Sequence, residues 1–91
     1  MGYDKKTPSA PVGVGTSATL LAAANPNRKV ISLQNIGTAT VYLGNSTGVT
    51  SGIFTVQLDA GYQLEDLESK DAWYGISASS TTNSIAVEVV T

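Results

Sequence analysis

The chain contains no histidine and no cysteine. Their absence removes disulfides, thiolate nucleophiles and the usual zinc ligands, together with the one side chain that titrates near neutrality. Serine is plentiful, yet no histidine can act as its base, and no lysine stands three residues after a serine. Charge is scarce too: 13% of the residues are charged, against about a quarter in ordinary soluble domains. Five basic and seven acidic residues leave a net charge of −2. The basic residues stand as Lys5 with Lys6, Arg28 with Lys29, and Lys70 alone, which is no footprint for a nucleic-acid backbone. No apolar run approaches the roughly 20 residues of a membrane-spanning helix. The opening MGYDKKTPSAPVG has no apolar signal core, so a soluble protein made in a cytoplasm, with no membrane partner, is expected.

Serine and threonine supply 21 of the 91 residues, enough to make a surface polar without charging it. Extended β proteins and assembled coats have such surfaces more often than free enzymes do. The length suits one domain, which buries only roughly 60–65% of its unfolded surface and gains stability by associating.

Residues 1–15 read as an extended arm, with Pro8 and Pro11 around Ser9 and Ala10 and consecutive charges at Asp4, Lys5 and Lys6. The arm is either a loose terminus or a segment that orders on a neighbouring subunit. Residues 16–91 are expected to form a single domain. From Val12 onward, short apolar segments alternate with turn residues at the spacing of an all-β sandwich or barrel of seven to eight antiparallel strands. In RKVISLQNIG, Ile31 and Leu33 share one face and Ser32 and Gln34 the other. In TATVYLGN, Val41 and Leu43 oppose Thr40 and Tyr42. GIFTVQLDAG places Phe54, Val56 and Leu58 together. WYGISAS sets Tyr74, Ile76 and Ala78 against Trp73, Gly75 and Ser77, and SIAVEVVT closes the chain as a strand. Two stretches are ambiguous. Leu64 and Leu67, three apart, suit one helical turn as well as a bent strand. LLAAAN looks helical, but as a helix SATLLAAAN would span barely two turns before Pro26, so a strand is expected there too.

Candidate chemistry is thin. Asp59, Glu65, Asp66, Glu68 and Asp71 lack the calcium-loop register with its central glycine and read as a solvated acidic loop. Gly13 and Gly15 complete no phosphate-binding pattern. Trp73 and Tyr74, with Tyr42 and Tyr62, suggest a sugar platform or, more simply, core and interface packing, since neighbours on a strand face opposite ways.

The run TSATLLAAANPNRKVISLQNIGTATVYLGNSTGVTSGIFTVQLDAGYQLEDL, followed by AWYGISAS and a valine-rich closing strand, resembles small β-structured virion proteins of tailed bacteriophages, of the capsid decoration or head-fibre type. In that group a strand ending in alanines leads through Asn-Pro-x-Arg to an IQN-type strand. A T-x-T-V-Y-L-G strand, a Gly-rich loop and a W/Y-Y-x-I-S-A strand follow. The resemblance covers residues 16–91 and leaves the arm unmatched. It implies a non-enzymatic structural protein, foremost a capsid decoration (cement) protein on the head exterior, commonly trimeric. Its partners would be the major capsid protein and its own copies, with no cofactor, metal or small-molecule substrate. Head-fibre, tail or baseplate modules and carbohydrate-binding adhesins remain alternatives. On this basis the arm clamps neighbouring subunits, with Tyr3, Lys5, Lys6, Pro8, Pro11 and Val12 as candidate contacts. Ala22, Ala23, Tyr42 and Trp73 are the candidate subunit interface, the alanines permitting close approach.

Overall fold

In the computed structural model, alternating apolar and polar residues become strands throughout the described residues. The structure describes residues 6–8, 11–79 and 82–91, with the backbone alone at 6–8 and at Asp66. The strands are β1 (Lys6–Pro8), β2 (Val12–Val14), β3 (Thr19–Ala22), β4 (Val30–Asn35), β5 (Val41–Gly44), β6 (Val56–Leu58), β7 (Gln63–Leu67), β8 (Trp73–Ser77) and β9 (Asn83–Val90), and no helix forms among the described residues. They make two antiparallel sheets. The first runs β1-β9-β4-β7, with β2 also on β9; the second runs β3-β8-β5-β6. β1 faces Glu88 to Val90 and β2 faces Asn83 to Ile85, successive stretches of β9, so each sheet is four strands wide. The expected all-β sandwich is therefore what the chain forms.

The inner faces carry the alternation predicted for them. Ile31 and Leu33 from β4, Val41 and Leu43 from β5, and Ile85 and Val87 from β9 meet Val14, Leu21, Leu58 and Trp73 in one core. Each fully buried aliphatic side chain contributes roughly 1.5–3 kcal/mol. Gly75 faces this core, where a Cβ would stand 3.2 Å from both the Leu21 and the Val41 side chains, so glycine lets β8 approach them closely. LLAAAN is a strand through Ala22, halted before Pro26. The spacing of Leu64 and Leu67 is a β-bulge: Leu33 pairs with Leu64 and Ile31 with Leu67, so three steps on β7 match two on β4.

Two expectations need correction. The sequence places residues 1–15 in the arm, yet Val12–Val14 is a strand on β9 and Val14 is fully buried. Alternation groups Phe54 with Val56 and Leu58, but strand geometry begins only at Val56, and Phe54 is 42% exposed while Leu58 lies in the core.

Buried polar side chains fasten the ends of the sandwich. Arg28, 2% exposed, donates from Nε to the Ser69 carbonyl (2.8 Å), from Nη1 to Ala23 (3.0 Å) and from Nη2 to Asp71 (2.6 Å). It ties the turn after β3 to the loop after β7. At another site, Asn83 Nδ2 donates to Asn35 Oδ1 (2.6 Å), and Asn35 Nδ2 donates to the carbonyls of Ala39 (2.7 Å) and Leu58 (2.9 Å). The Ala39 amide donates in turn to Asn83 Oδ1 at 2.9 Å, so one network links both sheets. Among the described residues no buried side-chain nitrogen or oxygen lacks a partner.

Candidate interaction surface

The two sheets differ in charge. The strands β3, β5, β6 and β8 read TLLA, VYLG, VQL and WYGIS and contain no charged residue. Lys6, Glu65, Asp66 and Glu88 all belong to strands of the other sheet. Because alternate residues of a strand face opposite sides, burying Trp73, Gly75 and Ser77 turns Tyr74 and Ile76 outward. Tyr42 turns outward between buried Val41 and Leu43.

Register then assembles these residues. Leu20 lies opposite Tyr74, and Tyr42 lies opposite Ile76. Directly opposed side chains stand about 4.5–5.5 Å apart at Cβ, so the four form one patch across β3, β8 and β5. Phe54 extends it, its ring centroid 4.9 Å from that of Tyr42 with the planes tilted by 47°. Leu20 is 47% and Phe54 42% exposed, and Ile53, beside Phe54 in the chain, is 69% exposed. A neutral apolar sheet face of this kind is suited to burial against another surface.

The predicted site residues are scattered. Tyr3 and Lys5 lie outside the described residues. Lys6 and Pro8 are edge-strand residues opposite Val90 and Glu88, Pro11 is exposed, and half-buried Val12 packs against the chain's own core. Ala22 is half-buried against that core, while exposed Ala23 offers its carbonyl to Arg28. Tyr42 is the predicted interface residue that sits within the apolar patch. Of the two packing roles read for Trp73, core and interface, the structure gives it the core: it is 3% exposed, with Nε1 donating to Ser69 Oγ at 3.2 Å, and the interface placement is corrected.

Tyr74 is among the aromatic residues the sequence offers as a platform or packing surface, whereas Leu20, Phe54 and Ile76 are not among its candidate site residues. Their sequence signal is the pairing of large outward residues with small inward ones, as in Tyr74 and Ile76 around Gly75. Among the described residues no group of three or more His, Cys, Asp or Glu side chains could hold a metal ion. Comparison with protein-family models, with curated proteins and with solved structures returns no match.

Proposed function

We propose that the chain is a non-enzymatic structural protein of a bacteriophage virion, a capsid decoration protein that binds the outer surface of the head and bridges capsid subunits. The observation that carries this is the sheet β3-β8-β5-β6, whose strands hold no charged residue and whose outer face sets exposed Leu20 and Phe54 beside half-buried Tyr42, Tyr74 and Ile76. Copies of the chain, three in the proposed assembly, bury these faces against one another. Burial on a partner adds to the modest stability of so small a core. The ordered resemblance of residues 16–91 to virion proteins supports the location in the particle.

Since Lys6–Pro8 pair with β9 of their own chain, the clamp on neighbouring subunits falls first to Tyr3 and Lys5, ahead of that segment. Simultaneous attachment at several such points turns modest contacts into tight binding where the geometry allows it. Purified protein added to undecorated heads is expected to appear by electron microscopy as saturable density on the capsid exterior. Deleting residues 1–11 is expected to lower that occupancy. Undiminished binding of the truncated chain would remove the arm from the mechanism, and density confined to tails or fibres would replace decoration by a tail or head-fibre role.

A further inference from the structure

The sheet that carries the charge has a different outer face. Across β4, β7 and β9 it dips into an open depression of about 210 Å³, whose lining includes Ser32, Gln34, Gln63, Ala86 and Glu88. Register explains the hollow. Gln34 stands between Gln63 on one side and Ala86 on the other, and Ser32 stands opposite Glu88. The small residues Ser32 and Ala86 make the floor, and the longer Gln34, Gln63 and Glu88 stand around it. Among the described residues these three long side chains make no hydrogen bond or ion pair. On the other sheet the exposed Gln57 does find a partner, its Nε2 donating to Asp59 Oδ1 at 3.1 Å.

We propose that this depression receives the guanidinium of an arginine presented by a partner protein. The carboxylate of Glu88 accepts hydrogen bonds and donates none, and each glutamine adds a carbonyl oxygen, so the hollow is rich in acceptors. Ala86 and Glu88, two apart on one strand face, are separated by about 7 Å, which sets the carboxylate across a small floor from the amides. A planar cation with five N–H donors can pair with the carboxylate in a fork while lying against the amides. Charge selects the same ligand. An anion meets Glu88 unfavourably, an apolar group leaves three polar side chains unpaired, and a neutral polyol leaves the carboxylate without a counter-charge. An ammonium brings three donors and no plane. The volume is below the roughly 300–1,000 Å³ of clefts for drug-sized ligands and suits one side chain. This inference is independent of the virion assignment.

The test is an NMR titration of the full ¹⁵N-labelled chain at low salt, following the side-chain amides of Gln34 and Gln63. The probes are an acetyl-Gly-Arg-Gly-amide peptide, its lysine counterpart and glucose. Saturable shifts confined to the depression are expected with the arginine peptide. E88Q, which keeps shape and loses charge, is expected to weaken binding about fivefold or more. A86L, which fills the floor, is expected to abolish it, and the same spectra report that both variants are folded. Absence of saturable shifts, equal shifts from the lysine peptide or glucose, or undiminished binding by E88Q would overturn the proposal.

Discussion

Three backbone carbonyls, from Ala23, Ser69 and Asp71, hold the Arg28 guanidinium. Removing the guanidinium leaves all three without their donor, so R28A is expected to lose about 2–4 kcal/mol in denaturant unfolding, and R28K to recover only part, because an ammonium cannot fork to three separated acceptors. Burial lowers the pKa of the Arg28 guanidinium from its usual value, with the charge of Asp71 pulling the other way. A cation whose pKa is lowered by folding regains stability only as pH rises through the lowered value. The R28A loss should therefore be the same throughout the neutral range. Gly37 illustrates a second constraint: a Cβ there would overlap the Asn83 side chain. G37A is expected to lose about 1–3 kcal/mol in the same measurement, by pushing Asn83 from Asn35. Little of this was readable in the sequence. Arg28 and Lys29 look alike as a basic pair, and what buries Arg28 is a set of carbonyls, two of them 41 and 43 residues away. Asn35 and Asn83 each look like turn residues, and only their meeting across 48 positions makes them a network.

Strands were easier to recognise than their neighbours. Ile31 and Leu33, or Val41 and Leu43, announce an inner face because alternation is a local property of the chain. The bulge at Leu64 and Leu67 is not local: it exists only against β4, which is why the spacing alone suits a helical turn equally well. VGV at 12–14 is too short to show a period, and it becomes a strand because β9 supplies the partner edge. Two truncations separate the roles of the N-terminal strands. Deleting residues 1–11 is expected to leave a folded domain. Deleting 1–14 also removes the fully buried Val14 and is expected to lower unfolding free energy by a further 1.5–3 kcal/mol or so. Equal stability of the two truncated chains in denaturant would mean that β2 adds nothing to the core.

At the scale of the whole molecule, the missing charges of TLLA, VYLG, VQL and WYGIS are visible in the sequence. That these four segments form one sheet is not, since β3, β5 and β8 are brought together by long-range pairing. The partnership of Tyr42 with Phe54 was hidden for the same reason, and the alternation counted inward from Leu58 fails before Phe54. If copies associate through this face, Tyr42→Ser combined with Phe54→Ser should reduce the solution mass to that of a monomer by light scattering. The denaturation midpoint of the isolated chain should move little, because neither ring is buried in the core. A variant that keeps the parent mass would locate the contact elsewhere. The segregation of charge also gives the two faces different sensitivities. Salt has nothing to screen on a sheet without charge, and contacts made there loosen on cooling as the hydrophobic effect weakens. Contacts made through Glu88 on the opposite sheet loosen instead as ionic strength rises. If the protein decorates a particle as proposed, temperature acts on the contacts of one side of the sandwich and salt on those of the other, so that one set is released while the other holds.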